Sequence, residues 1–312
     1  MDVLGLPHAN NPSPADVTSC RKSPQMPEGI TVVIRALNEE GLLGDCLDAI
    51  ARQDVDLPVE VVLVDSGSSD RTVAIAHESG CRVLHIGSGD FSFGRALNLG
   101  VRHARYAMVV SVSAHCIPVS TTWLRNLIQP LTDGRASMAF GCQRASPASR
   151  TSEINYFSLK YRQTSGPVTL PLMNNGNSAF LRSLWECQPF DEQLPAQEDM
   201  DFCLRHMQRE GSRLFYISDA VVIHHHNDRN RTLYRRLYTE LAVEFYLGQR
   251  TAWQLALFLL GTPLYLWQDL NESRKKGVMF KALKGIIAFR AVQAAAYWQA
   301  SRSFVDFVKG GH

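Results

Sequence analysis

Four short runs of aliphatic and β-branched residues recur through the first third of the chain: ITVVIRA (30–36), VEVVLVD (59–65), CRVLHI (81–86) and AMVVSVS (107–113). Strands buried on both faces read as continuous apolar runs, and parallel strands need a crossover of a dozen or more residues between them. EEGLLGDCLDAIARQ (39–53) supplies one crossover, with Leu42, Leu43, Leu47 and Ile50 at helical spacing. DRTVAIAHESG supplies the next, with Asp70 as its cap and Gly80 as its stop. The expected fold is α/β and Rossmann-like, a mostly parallel central sheet with helices on both faces. Ligands in such folds bind beyond the carboxyl ends of the strands, so polar residues there carry the functional signal.

Those ends are polar. Arg35, Asn38 and Glu39 follow the first strand, Asp65-Ser66-Gly67-Ser68-Ser69-Asp70 the second, and Ser113-Ala114-His115 the fourth. No GxGxxG follows the first strand and no GxxxxGK[ST] occurs, which removes a dinucleotide fingerprint and a P-loop. A carboxylate at Asp65 can accept from ribose hydroxyls or the N3–H of uracil or thymine; turn chemistry and helix capping are the alternative reading for Asp65 and Asp70. The His115 imidazole is able to ligate a transition metal. In AVVIHHHN (220–227), strand alternation puts His224 and His226 on one face and His225 on the other. Three histidines at a strand end also read as a solvated loop.

In order along the chain, TVVIRALNEE, VVLVDSGSSDRT, FSFGRALNLG, VVSVSAHCIP and QEDMDFCLR resemble the motifs of family 2 glycosyltransferases of the GT-A fold, over about residues 30–228. HHHNDRNRTLYRRLYTELAVEFY is similar to the His-x-His-Asn segment and basic helix of bacterial rhamnosyltransferase-like members. The resemblance implies an inverting enzyme that moves a sugar from a nucleotide-diphosphate donor to a hydroxyl of a glycan or lipid-linked acceptor, in cell-surface polysaccharide biosynthesis. It assigns the nucleotide sugar to Arg35, Asn38, Glu39, Asp65, Ser66, Asp70, Arg95, Asn98 and Ser113. It makes Asp199 the base with Glu198 beside it, and puts Asn177 and Trp185 on the acceptor side. The family usually holds a divalent metal, Mn or Mg, on an Asp-x-Asp that this chain replaces with Ser113-Ala114-His115. His115, His224 and His226 are the ligands expected instead, and imidazole suits manganese better than magnesium. Two alternatives are a catalytically impaired sugar-nucleotide-binding relative and a nucleotidyltransferase. An intact Asp199 segment argues against the first, and the missing phosphate loop against the second.

The 312 residues divide by pattern into a loose leader (1–28, with five prolines), a catalytic domain (29–228) and a helical extension (229–312). The catalytic domain splits into a nucleotide-sugar half (29–118) and an acceptor half (119–228). Charge divides too: 229–312 carries 13 Lys and Arg against 5 Asp and Glu, whereas 1–228 carries 19 against 25. The overall net charge of +2 does not select a partner, and no nucleic-acid partner is expected. In the extension, basic and aromatic residues alternate with apolar ones, as in helices at a membrane interface; packing on the catalytic domain or homodimer pairing explains the same pattern. WQLALFLLGTPLYLW (253–267) is broken by Gly261 and Pro263 and falls short of the ~18–20 residues that span a bilayer. Seven scattered cysteines without a CxxC pair, and no secretory signal pattern, predict reduced thiols in the cytoplasm, with peripheral contact on the inner membrane face as an option.

Overall fold

The computed structural model describes residues 28–209, 212–225 and 229–310. The proline-rich leader and His226 therefore lie outside the described residues. The chain forms two compact units. The first takes residues up to Arg144, then Gln163–Leu194 and Glu198–His224; the second takes Ala145–Arg162, Pro195–Gln197 and His225 onward.

The first unit is built on a nine-stranded sheet. Its parallel part comprises β1 (Ile30–Ala36), β2 (Val59–Asp65), β3 (Arg82–His85) and β4 (Met108–Ser113), in the order β3-β2-β1-β4. All four fall where the apolar runs predict. The remaining strands are β5 (Cys116–Pro118), β6 (Met138–Ala145), β7 (Gly166–Val168), β8 (Asn177–Leu181) and β9 (Leu214–His224). They extend the sheet as β8-β6-β9-β5 with β7 on β9, and β8 runs antiparallel to β4.

Register sets up the functional edge. Ile30 to Arg35 pair one for one with Val59 to Val64 and with Met108 to Ser113. The carboxyl ends of three strands therefore finish level, with Arg35 beside Ser113 and Ala36 beside Asp65. Paired residues share a face, so Arg35 and Ser113 point to the same side of the sheet. The opposite side, carrying Ile30, Val32, Ile34 and Ala36, is the main core against α1 (Leu43–Ala51) and α4 (Trp123–Thr132).

On the Arg35 side lies α3 (Phe93–Arg102), and two glycines of FSFGRALNLG let it approach. A side chain at Gly100 would run into Val33, and one at Gly94 into the backbone carbonyl of Asp191. Ser92 caps the helix by accepting the Arg95 amide at 3.1 Å. The other helices of this unit are α2 (Thr72–Glu78), α6 (Arg182–Cys187) and α7 (Glu198–Met207).

The second unit is helical: α5 (Thr151–Lys160), α8 (Asn230–Tyr246), α9 (Ala252–Lys275) and α10 (Met279–Gly310). Although α5 lies inside the 119–228 segment of the sequence, it packs here because of a buried charge. Asp269 on α9, fully buried, takes a two-pronged ion pair from Arg290 on α10 at 2.8 and 3.0 Å. Ser152 and Asn155 of α5 complete its shell at 2.6 and 2.8 Å. Such a network holds together because every lone pair of the carboxylate has a donor. Phe258 stacks on Tyr297 at 3.8 Å to join α9 and α10. No helix of the described residues is long and apolar enough to cross a membrane. Among the cysteines, Cys46, Cys81, Cys116, Cys142 and Cys203 are free thiols. Cys187 is disulfide-bonded, a departure from the expected reduced set.

Candidate active site

The loops after β1 and β2 are knitted to each other. Asn38, in a left-handed turn at φ 54°, accepts the Ser69 amide at 2.8 Å on its side chain and donates its own amide to Ser68 at 2.8 Å. Glu39 donates its amide to the Thr72 hydroxyl at 2.7 Å. The buried Asp65 carboxylate accepts from the amides of Gly67 and Ser68 at 3.1 and 3.2 Å, and the exposed ring of His85 stands 3.5 Å away. Ser66 is buried, with its hydroxyl on the Ala36 carbonyl at 3.2 Å. For Asp70, partial desolvation pushes the carboxyl upward; hydrogen bonds from Thr72 and the Glu40 amide outweigh it and hold the carboxyl below its ordinary range.

A buried acidic pair opens α7. The residue before it, Gln197, has φ 58°, which turns the chain sharply into the helix. Glu198 is 4% exposed and accepts from Arg35 at 3.2 Å and from the Asn175 side chain at 3.3 Å. Burial, and next to it the Asp199 charge, push the Glu198 carboxyl up to about 7, with Arg35 pulling the other way. Asp199 accepts the Asn175 amide at 2.8 Å and the Met200 amide at 2.8 Å. Asn175 is thus the hub, since its carbonyl also takes the Ser111 hydroxyl at 2.8 Å and its side-chain oxygen the Ser178 hydroxyl at 3.0 Å. Arg35 lies over Phe93 at 4.9 Å, with a buried Nε that has no hydrogen-bond partner. Sequence reasoning missed Asn175, Phe93 and His85; the asparagine-rich MNNGNS ahead of β8 was the available signal for the first.

Histidines gather beside this pair of loops. The register of β5 on β9 sets Cys116 opposite His224, and the His115 and His224 rings stack with centroids 5.1 Å apart. Nδ1 of His115 lies 2.6 Å from the Glu39 carboxylate, and Nδ1 of His224 lies 2.7 Å from the Gln143 side-chain oxygen. Both partners accept, so both Nδ1 atoms donate and each lone pair falls on Nε2. Metal-binding histidines are oriented in this manner. The ligand atoms of His115, Cys116 and His224 all lie within 4.8 Å of one another. Burial pushes the Cys116 thiol far above its usual range. Two oriented imidazoles fit a divalent transition ion and suit a hard ion such as magnesium poorly.

Other expected residues sit elsewhere. Asn98 is buried and committed: its amide donates to the Phe190 carbonyl and Glu192 at 3.0 and 2.9 Å, and its oxygen accepts Trp185 and the Phe190 amide at 2.8 and 3.1 Å. It latches α3 to the 190–192 loop, so its groups are taken up within the protein. Trp185 is interior for the same reason, and Asn177 is wholly buried, bonded to Cys142, Ala220 and Trp123. Arg95 is half-exposed and pairs with Glu192 at 3.0 Å and the Asp90 carbonyl at 2.9 Å.

The sequence between residues 31 and 187 matches the family model described as glycosyl transferase family 2. The O-antigen chain rhamnosyltransferase RfbN of Salmonella typhimurium is 28% identical over 222 residues, covering 67% of this chain and 70% of that protein. Among solved structures, the mannosyltransferase PcManGT from Pyrobaculum calidifontis, in complex with GDP-Man and Mn2+, aligns with a TM-score of 0.58 at 19% identity over 91% of each chain. Glucosyl-3-phosphoglycerate synthase from Mycobacterium tuberculosis, with Mn2+, UDP and glucosyl-3-phosphoglycerate, aligns at 0.51 and 24% identity over 66% of this chain and 75% of that one. The level strand ends, the acidic pair on α7 and the match across 31–187 agree: the chain has the GT-A fold, belongs to glycosyl transferase family 2 and is a glycosyltransferase.

Proposed function

We propose that this enzyme inverts the anomeric centre as it moves a sugar from a nucleotide-diphosphate donor to a hydroxyl of a glycan or lipid-linked acceptor, in cytoplasmic synthesis of a cell-surface polysaccharide. The single observation that carries the reading is the buried Glu198–Asp199 pair held at the carboxyl ends of β1 and β4 by Arg35 and Asn175. A hydroxyl attacking an anomeric carbon must lose its proton, and a carboxylate within reach takes it in a single displacement. Asp199 is assigned that role, fixed by two backbone amides, with Glu198 beside it. A second reading exchanges the two. Its support is that burial brings the Glu198 carboxyl to about 7, where a base works best near neutral pH.

The nucleotide lies, in this proposal, over the Asn38–Glu39 and Asp65–Asp70 loops, with Ser113 and Arg35 toward the sugar. Arg95 reaches the phosphates by leaving Glu192. His115 and His224 are the described residues that would hold a divalent ion; when bound, such an ion supplies Lewis-acid neutralisation of the departing diphosphate. The similarity to a rhamnosyltransferase and to Mn2+-bound transferases supports both assignments.

The test pairs Asp199→Asn with Glu198→Gln and reads donor affinity by calorimetry beside turnover on a panel of nucleotide sugars. Asp199→Asn is expected to keep donor binding and lose 10²- to 10⁴-fold in kcat. Full turnover in Asp199→Asn with loss in Glu198→Gln moves the base to Glu198. Full turnover in both ends the reading.

A further inference from the structure

The second unit turns an unusual amount of apolar surface outward. On α9, Trp253, Leu257, Leu260, Leu264 and Trp267 are all exposed, Leu260 by 76%. Their spacing of four, three, four and three residues keeps them within about 80° of arc along about 21 Å of helix. The opposite side of the helix is occupied internally by Phe258 on Tyr297 and by Asp269 on Arg290. On α10, Phe280 is 88% exposed, and Leu283, Ile287 and Trp298 follow it on one line. Exposed apolar surface so extended and so regular marks a contact.

Charge identifies the contact. Arg274, Lys275, Lys276, Lys281 and Lys284 are all exposed where α9 turns into α10, around Val278 and Phe280. Between Ala252 and Arg302 the acids are two: Asp269 is sealed in its ion pair, and Glu272 is paired to Lys275 at 2.6 Å. A second copy of this face therefore brings cations to cations, whereas an anionic bilayer offers the missing charge. Tryptophan at both ends of the α9 stripe suits the headgroup boundary, where a ring with an apolar body and a polar N–H is at home. The stripe is too short and too interrupted to span.

We propose that α9 and the start of α10 form a membrane-docking surface that lies in the interface of an anionic phospholipid bilayer, with the α9 stripe inserted and Lys281 and Lys284 on the headgroups. This goes beyond sugar transfer and stands independently of how Glu198 and Asp199 divide the chemistry.

The experiment sediments the full chain with vesicles of pure phosphatidylcholine and with vesicles half phosphatidylglycerol, at low and high salt. Binding is expected to the anionic vesicles only and to weaken with salt. Lys281→Glu with Lys284→Glu, and separately Leu260→Glu, should each cut it at least tenfold. All these residues are exposed, and circular dichroism checks that the variants keep their helices. No sedimentation above the neutral-lipid level overturns the proposal, as does binding that both variants leave unchanged. A dimer in light scattering that Leu260→Glu dissociates, without vesicle binding, overturns it in favour of a second copy.

Discussion

Arg35 Nη1 stands 3.2 Å from Glu198 Oε1, with both side chains largely removed from water. Burial, reinforced by the neighbouring Asp199 charge, keeps a proton on Glu198 up to about pH 7, and the guanidinium opposes both. Arg35 pulls that value down, so Arg35→Gln should raise it further. The acid limb of kcat/KM is expected near pH 7 in the parent and about one unit or more higher in Arg35→Gln. Unchanged limbs would show that Arg35 does not act through Glu198.

The same proton makes stability depend on pH. The carboxyl rises from 4.5 to about 7 on folding, so the folded state binds the extra proton between those values. The stabilisation is complete below about pH 4.5 and is lost as pH climbs through about 7. Linkage puts the loss between pH 5 and pH 8 on the order of 2 kcal/mol. Urea melts of the parent and of Glu198→Gln at both values should differ by about that amount in their pH response, with the variant flatter.

Metal preference follows from the donors at His115 and His224. Calorimetry should find manganese bound at least tenfold more tightly than magnesium in the presence of nucleoside diphosphate. His224→Ala should remove most of that binding. Glu39→Gln, which touches only Nδ1 of His115, should weaken it 10- to 100-fold. Equal affinities for the two ions would remove the imidazoles from the site.

The buried charge of the second unit is expected to behave asymmetrically. Asp269→Leu strands Arg290, and Arg290→Met strands Asp269, each at about 3–5 kcal/mol in chemical denaturation. The double variant should cost less than either single one. Additive losses would mean that the pair is not coupled.

Much of this was legible in the chain. The strands β1, β2 and β4 announce themselves because nothing polar interrupts them, and their level ends made Arg35, Asp65 and Ser113 conspicuous. The partners of Asn98 and Asn177 were hidden, because a motif gives residue type and position but not the partners. Those of Asn98 lie 87 to 94 residues away, on Trp185, Phe190 and Glu192. Burial is equally silent in sequence: nothing in QEDMD says that Glu198 sits in a dry pocket with Arg35. The placement of α5 with the C-terminal helices rests on Asp269, 117 residues from Ser152, and no local pattern reports such a bond.

The one-for-one alignment of β1 with both its neighbours has an evolutionary corollary. Deleting a single residue within Ile30–Ile34 would turn the guanidinium to the opposite side and present Ala36 in its stead, and inserting one there would present Ile34. Descendants of this gene are therefore free to lengthen or trim the crossovers, but each of these three strands must keep its count, because the spelling of the pocket is read in steps of two.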